Sequence, residues 1–293
     1  MNDKTDDPSL VEHITDSFAR LTNTEKLAAR VLLDNYPMAG LATAASFAAE
    51  AGVSAPTILR LVDKLGFGGY AEFQARLLEE LEARLQSPLE RGGGPTARET
   101  GMHFMHRYAE AACDNVMRTV NHLPAAEIEA VGQLLMDERR KIYLLGGRFS
   151  GALAALFHAH LHAVRGNVQH ISGQSTAWPE HLIDMKRRDV VVVFDFRRYQ
   201  KDIVGFTADA ARRGAGVVLF TDQWRSPAAR FARHVLSARI DMPSRWDSAV
   251  APLVLVEVLI AMLTDQRWHR VESRIKDLDS LQTQLHRHER DEH

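Results

Sequence analysis

The chain shows two kinds of hydrophobic pattern. Up to about residue 86, apolar side chains recur at helical spacing, as in LTNTEKLAARVLLDN and AEFQARLLEELEARL. Beyond about residue 140, they form short continuous runs of Val, Ile and Leu that alternate with helical segments. The first pattern predicts amphipathic helices, and the second is typical of a parallel sheet covered on both faces. We therefore predict an all-α N-terminal domain and an α/β C-terminal domain.

Five apolar runs are candidate strands of one parallel sheet. They are KIYLLGG at 141–147, NVQHIS at 167–172, DVVVVFDF at 189–196, GVVLFTD at 216–222 and RHVLSAR at 233–239. Helices are predicted near 98–121, 125–139, 150–165, 201–213 and 246–266. In such sheets ligands bind beyond the carboxyl ends of the strands, where the strand order reverses. The loops that directly follow the strands are therefore the candidate ligand loops.

The segment SPLERGGGPTA, residues 87–97, separates the two patterns. Its three consecutive Gly residues stand between two Pro residues, a composition typical of a flexible linker. We predict an N-terminal domain at 1–86, a linker at 87–97 and a C-terminal domain at 98–293.

Residues 44–63, AASFAAEAGVSAPTILRLVD, have the pattern of two short helices joined by a tight turn. The apolar residues Phe47, Ala51, Val53, Ile58 and Leu61 form a seam that leaves Ser54, Thr57, Arg60 and Lys64 on one outward face. Gly52 stands between them, and glycine reaches the positive φ that such a turn requires. Ser54 is expected to cap the second helix with its side chain. Hydroxyls and cationic groups suit the base edges and phosphates of a major groove. We predict a helix-turn-helix that binds double-stranded DNA through Ser54, Thr57, Arg60, Lys64 and Tyr70.

Charge sets a limit on how this domain binds DNA. The whole chain has a net charge of −2, and residues 1–86 contain eight Lys or Arg against thirteen Asp or Glu, a net charge of −5. Because phosphate neutralisation supplies most non-specific affinity, a single copy should bind weakly. The segment 54–70 has a net charge of +1, so the proposed DNA face is not acidic, and a dimer would double it.

Composition indicates a cytoplasmic protein without a resident cofactor. No run of about 18 apolar residues predicts a membrane span, and the acidic start MNDKTDDPSLVEH does not resemble a secretory signal. Cys113 is the only cysteine, so neither an intrachain disulfide nor a cysteine-rich metal site is expected. His158 and His162 have helical spacing for a shared metal, but no third ligand is evident. We expect no metal.

Three segments together resemble the RpiR/MurR family of bacterial transcriptional regulators. They are LTNTEKLAARVLLDN, AGVSAPTILRLVDKLGFGGYAEF and IYLLGGRFSGALA. The resemblance implies a helix-turn-helix joined to a SIS (sugar isomerase) domain, an αβα sandwich with a five-stranded parallel sheet. It also implies a homodimer or homotetramer whose operator binding responds to a phosphosugar, sugar acid or related anion. The expected targets are genes of carbohydrate or related catabolism.

The candidate effector residues lie in two loops. The first loop contains Ser150, which matches the ligand-binding serine of the family, although it could instead only cap the next helix. After the third strand the family shows Ser-x-Ser-Gly-x-Thr, whereas this chain has DFRRYQ at 195–200. Two guanidinium groups there suit an anion, and an internal salt bridge from Asp195 to an arginine is the alternative. The predicted ligand residues are Gly146, Gly147, Arg148, Ser150, Asp195, Arg197, Arg198 and Tyr199.

Two other classes of function compete with a ligand-responsive regulator. A SIS-fold sugar-phosphate isomerase or amino-sugar-processing enzyme would need a general base near the pocket, for which Glu257 is the candidate. A purely architectural oligomer would leave the polar face of the predicted DNA-binding helix without a role. The helix-turn-helix favours the regulator over both.

Overall fold

The computed structural model describes residues 8–90 and 101–291. The predicted linker residues 91–97 lie outside the described residues. Between residues 8 and 90 the chain is helical, with α1 at Leu10–Ser17, α2 at Asn23–Asp34, α3 at Met38–Leu41, α4 at Ala44–Ala51, α5 at Ala55–Lys64 and α6 at Tyr70–Leu85.

The turn between α4 and α5 has the predicted geometry. Gly52 has a φ of 64° and ends α4 in the left-handed conformation, which confirms the prediction from the glycine. Phe47 on α4 and Ile58 and Leu61 on α5 are fully buried in the core of this domain. The helix-turn-helix is therefore held together by the apolar seam that the sequence shows.

The second domain contains the predicted parallel sheet. Its strands are β1 at Ile142–Gly146, β2 at Val168–Ile171, β3 at Val190–Phe194, β4 at Gly216–Asp222 and β5 at His234–Ala238. Their order is β2-β1-β3-β4-β5, and the paired strands are parallel. The helices are α7 at Met102–His122, α8 at Ala125–Met136, α9 at Gly151–Val164, α10 at Pro179–Asp184, α11 at Lys201–Arg212, α12 at Val250–Gln266 and α13 at Trp268–Asp291.

The sheet is buried on both faces. Alternate strand residues such as Ile142 and Leu144 point into one hydrophobic cluster with α8, α9 and α12. The residues between them, such as Tyr143 and Leu145, point into a second cluster with α10 and α11. Because both faces are covered, the strands are continuously apolar. None of the helices in the described ranges is both long and apolar enough to cross a membrane.

Helix α12 begins four residues later than predicted. The predicted helix at 246–266 starts at Val250, whose amide donates to Ser248 Oγ at 3.1 Å. Residues 246–249 are therefore a loop, and this loop reaches the ends of the strands.

The two domains are in direct contact. Arg239, just beyond β5, donates from Nε to Oε1 of Glu12 on α1 at 2.8 Å, and its Nη2 bonds to Glu12 Oε2. Both side chains are at most 10% exposed. Removing one partner of a charge pair buried this deeply strongly destabilises a protein. The pair therefore fixes the packing of α1 on the second domain.

Candidate functional site

The exposed face of α5 differs in part from the predicted one. Ser54, Arg60 and Lys64 are exposed, as expected. Thr57 is only 5% exposed, so the prediction that it faces outward is wrong. Thr57 stands next to Ile58 and one turn before Leu61, and this helical phase places it at the edge of the apolar seam.

Thr57 nevertheless organises the polar face. Its hydroxyl is hydrogen bonded to the Ser54 hydroxyl at 2.9 Å and accepts from Nη2 of Arg60 at 3.3 Å. Ser54 occupies the N-cap position of α5, but its side chain accepts no amide hydrogen bond. The predicted side-chain cap is therefore wrong, because the hydroxyl pairs with Thr57 instead. The three residues form a chain that holds the Arg60 guanidinium against α5.

The two remaining candidates for DNA binding have partners inside the domain. Lys64 Nζ donates to Glu25 Oε2 at 2.8 Å. The Tyr70 hydroxyl donates to the carbonyl oxygens of Gly40 at 3.0 Å and of Ala42 at 2.9 Å. Tyr70 thus braces the connection between α3 and α4. Contacts of Lys64 and Tyr70 with DNA stay predictions.

Leu59 is a surface residue that the sequence analysis missed. It lies next to Arg60 on α5 and is 49% exposed. Only polar and charged side chains on this face were considered from the sequence, and Leu59 was left out. Helical periodicity was the available signal of its exposure, because it places Leu59 off the buried face that Ile58 and Leu61 form. An exposed apolar side chain beside a guanidinium suits a base step that presents a thymine methyl group.

A cavity of about 390 Å³ opens at the carboxyl ends of β1 and β3. The strand order reverses between β1 and β3, because β2 lies on one side of β1 and β3 lies on the other. Ligands bind at this point in open α/β sheets. Three segments form its walls: the loop after β1, the loop after β3, and residues 246–252 at the start of α12. Arg148, Ser150, Asp195, Arg197 and Arg198 line it, whereas Gly146, Gly147 and Tyr199 do not.

The two glycines shape the first loop without lining the cavity. A Cβ atom on Gly146 would lie 2.6 Å from the Ser150 carbonyl oxygen and 2.7 Å from the Gly151 nitrogen. Ser150 Oγ accepts from the Gly147 amide at 2.8 Å and donates to the Phe194 carbonyl oxygen at 2.7 Å. Ser150 makes no side-chain cap bond to α9. It ties the first loop to β3 and keeps one lone pair for a ligand.

Two aromatic side chains stand at the cavity, and sequence reasoning missed both as site residues. Phe149 and Trp246 are 63% and 57% exposed, and their ring centroids are 5.7 Å apart. The Arg148 guanidinium lies 5.2 Å from the Phe149 centroid, and the Arg148 amide donates to Gln200 Oε1 at 2.8 Å. Exposed aromatic rings together with a few polar groups are typical of small-molecule sites.

Asp195 fills the position at the start of α11 where a helix attracts an anion. It accepts from Ser226 Oγ at 2.5 Å and from the Gln200 amide at 3.3 Å. Burial raises the pKa of Asp195 to about 7, although the Ser226 hydrogen bond opposes the shift. Burial also raises the pKa of Asp222, at the end of β4, to about 6 against the opposing Tyr199 hydrogen bond. Two buried carboxyl groups therefore lie behind the cavity.

Arg197 does not pair with Asp195, so the alternative of an internal Asp195–arginine salt bridge does not hold for this residue. Its Nη2 donates to Asp241 Oδ1 at 2.5 Å, and its Nε donates to Asp247 Oδ2 at 3.2 Å. The guanidinium also lies 4.3 Å from the Trp224 ring centroid. Asp195 is instead held by Ser226. The Arg197 side chain is only 3% exposed and is committed to these acidic partners.

Arg198 and Tyr199 point in different directions. Arg198 has a φ of 63°, is exposed, lines the cavity and forms no hydrogen bond with the described residues. Tyr199 donates to Asp222 Oδ1 at 2.6 Å, away from the cavity. Of the two, only Arg198 is placed to meet an anion in the cavity, with Arg148 beside the first loop.

The raised pKa of Asp195 predicts a pH-dependent stability. The native state holds a proton on Asp195 up to about pH 7, whereas an unfolded aspartate releases it near pH 4. Stability therefore falls as the pH rises through this window, by up to about 1.4 kcal/mol per pH unit. Asp195→Asn should flatten this slope in urea unfolding measured from pH 5 to pH 8. An unchanged slope would show that Asp195 is already ionised at pH 5.

Both domains match known protein domains. Residues 9–84 match the helix-turn-helix domain of the rpiR family, and residues 134–262 match the SIS domain. The chain belongs to the RpiR family of transcriptional regulators. The transcriptional regulator HexR of Pseudomonas aeruginosa is 26% identical over 270 residues, which cover 88% of this chain and 90% of HexR.

Two solved structures share the fold. The sugar isomerase domain of an RpiR transcription factor from Sphaerobacter thermophilus is 23% identical with a TM-score of 0.58, over 61% of this chain and 99% of that domain. NanR of Vibrio vulnificus, complexed with ManNAc-6P, is 16% identical with a TM-score of 0.54, over 94% of this chain and 99% of NanR. Glu257, the general base of the enzyme alternative, is exposed and does not line the cavity.

Proposed function

We propose that this RpiR-family regulator binds operator DNA by placing α5 in the major groove. The hydrogen-bonded chain from Ser54 through Thr57 to Arg60 supports this, because it orders a guanidinium on an exposed helix face. Arginine held in this way suits the paired acceptors of guanine. Leu59 provides an apolar contact on the same face.

We further propose that the cavity binds an anionic sugar derivative, either a phosphosugar or a sugar acid. The observation that carries this proposal is that Arg148 and Arg198 line one cavity, which is also lined by the N-cap residues of α9, α11 and α12, namely Ser150, Gln200 and Ala249. Helix N-termini attract anions. The exposed rings of Phe149 and Trp246 suit the apolar face of a sugar. NanR, a protein of the same fold, binds ManNAc-6P.

The position of the anionic group should differ from the family pattern. Asp195 already accepts from the amide of Gln200, the N-cap residue of α11, so this amide is not available to a phosphate. In the ligand-bound protein we therefore place the anion among the arginines that line the cavity, Arg148, Arg197 and Arg198, and we infer that the sugar hydroxyls face Asp195 and Ser150. The family membership favours genes of carbohydrate catabolism as targets and a homodimer or homotetramer as the DNA-binding form.

The contact of Leu59 with thymine can be tested without changing the shape of the DNA. Replacing thymine by deoxyuridine in a bound promoter fragment removes only the methyl groups. Wild-type affinity should fall about threefold for each methyl that Leu59 covers, as measured by fluorescence anisotropy at fixed salt. Leu59→Ala should bind both fragments equally, and Leu78→Ala, which removes another exposed leucine on α6, should keep the wild-type difference. If deoxyuridine lowered the affinity of Leu59→Ala as much as that of the wild type, the contact would be excluded.

The role of Arg198 can be tested with ManNAc-6P as the probe. The wild-type protein should show a concentration-dependent rise in Tm, and Arg198→Ala should weaken the interaction at least about tenfold, because a charge-assisted contact is lost. DNA binding without the probe should stay unchanged. Arg139→Ala, at a side chain that is 79% exposed and remote from the cavity lining, is the control for loss of charge. An unchanged response of Arg198→Ala would remove Arg198 from the site.

A further inference from the structure

The loop after β3 contacts the DNA-binding domain as well as the cavity. Arg197 Nη1 donates to the carbonyl oxygen of Ala83 at 2.9 Å, in the last turn of α6. Two residues further along the loop, the Tyr199 ring lies 4.4 Å from the Arg84 guanidinium. Arg84 in turn donates to the Tyr36 carbonyl oxygen at 3.2 Å. One short loop is therefore bonded to the end of α6 and, through Arg84, to the core of the N-terminal domain.

The Ala83 carbonyl needs an external donor. The last carbonyl groups of a helix have no intrahelical partner, and the amide that would reach Ala83, that of Ser87, donates to Glu90 Oε2 at 2.7 Å instead. A cation at a helix C-terminus is also favoured by the helix dipole. Arg197 meets both requirements, so its loss should loosen the last turn of α6.

The same guanidinium is exposed to competition from the cavity. Arg197 and its partner Asp247 both line the cavity. Asp247 bonds to Nε and Nη2, while Nη1 bonds to Ala83. A phosphate or carboxylate on a ligand is chemically equivalent to Asp247 as a partner for a planar guanidinium. A ligand anion that binds Arg197 from within the cavity, and not at the position of Asp247, turns the guanidinium toward the cavity and strains its bond to Ala83.

We propose that Arg197 is a positioning residue that joins the end of α6 to the cavity loop, and that an anionic effector releases α6 by replacing Asp247 as the partner of the guanidinium. This inference rests on the proposed function of the cavity and names how the cavity controls the DNA-binding domain. It also accounts for the departure from the family's Ser-rich loop, because the arginine that replaces it connects the two domains.

Hydrogen exchange on the full-length protein tests the proposal. Without any ligand, Arg197→Gln should accelerate exchange of the amides at 84–90 by about tenfold, because a hydrogen bond from a charged donor is lost. Saturating ManNAc-6P should accelerate the same amides in the wild type and have no further effect in Arg197→Gln. Asp247→Asn, which keeps Arg197 paired with Asp241, should give an intermediate acceleration and serves if Arg197→Gln does not fold.

Asp16→Asn is the matched control, since it weakens another contact between the domains, the partly exposed pair of Asp16 Oδ2 with His122 Nε2 at 3.5 Å, and neither residue lines the cavity. It should leave exchange at 84–90 and the response to ManNAc-6P as in the wild type. Unchanged exchange in both Arg197→Gln and Asp247→Asn, or a wild-type response to ManNAc-6P in Arg197→Gln, would overturn the proposal. If ManNAc-6P gives no thermal shift in the wild type, the proposed effector class fails, whereas the ligand-free comparison still decides whether Arg197 holds α6.

Discussion

Arg60→Ala is expected to weaken binding to a native promoter fragment by about 10- to 100-fold. Loss of one well-placed guanidinium contact to a guanine costs about 1–3 kcal/mol, and Arg60 is held in place by Thr57. Fluorescence anisotropy with a specific and a scrambled fragment measures the effect. Because the lost contact is to a base, the specific fragment should lose most of the affinity and the scrambled fragment little.

Arg30→Ala is the control that separates the loss of a base contact in Arg60→Ala from the loss of one positive charge. Arg30 is also exposed, but it lies on α2 with its guanidinium 5.8 Å from the Phe18 ring centroid. Its removal changes the net charge by the same amount and should alter both fragments only slightly. If Arg60→Ala and Arg30→Ala weaken binding equally, the face of α5 is not the one that reads DNA.

Asp222→Ala is expected to lower the free energy of unfolding by about 3–5 kcal/mol. Asp222 is fully buried, and its carboxylate accepts from the Arg197 amide at 2.5 Å, the Tyr199 hydroxyl at 2.6 Å and the Trp224 amide at 3.0 Å. Alanine would leave these three donors without an acceptor. The cavity loop should then lose its shape, and the Tm rise with ManNAc-6P should disappear. Urea unfolding measures the stability change.

Asp222→Asn shows whether the loss of stability in Asp222→Ala comes from hydrogen-bond donors left without an acceptor. Asparagine keeps the Oδ1 acceptor that serves Tyr199 and Trp224 and loses only the oxygen that serves the Arg197 amide. It should cost about 1–2 kcal/mol, clearly less than alanine. Equal losses for the two variants would mean that the size of the side chain, and not its hydrogen bonds, determines the stability.

The loop after β3 was the least predictable part of the site. Its residue types correctly indicated that the family's phosphate-binding pattern is absent. The partners of Arg197 could not be predicted, because Asp241 and Asp247 lie 44 and 50 residues further along the chain. No local pattern marks such a pair. The same holds for Asp195, whose strongest partner, Ser226, follows the next strand of the sheet.

On α5 the predicted and observed positions of the side chains differed less, but the difference changed the proposed contacts with DNA. Helical periodicity correctly placed Ile58 and Leu61 in the core. Thr57 was assigned to the outward face because of its hydroxyl group, and this assignment was wrong, since Thr57 is buried. Leu59 was left unassigned, although it is exposed. Position along the helix outweighs side-chain type at the edge of an apolar seam.

The sequence by itself determined the elements: two helices turning at Gly52, five buried parallel strands, and the family that combines them. These elements follow from local physics. Backbone sterics favour glycine in a left-handed turn, and apolar residues recur with the period of the helix or strand whose face they bury. Only the tertiary structure decided which side chains meet. The cavity, the carboxyl groups of Asp195 and Asp222, and the bond from Arg197 to Ala83 bring together residues from distant segments. Such contacts depend on how whole elements pack, and packing leaves no periodic trace in the sequence.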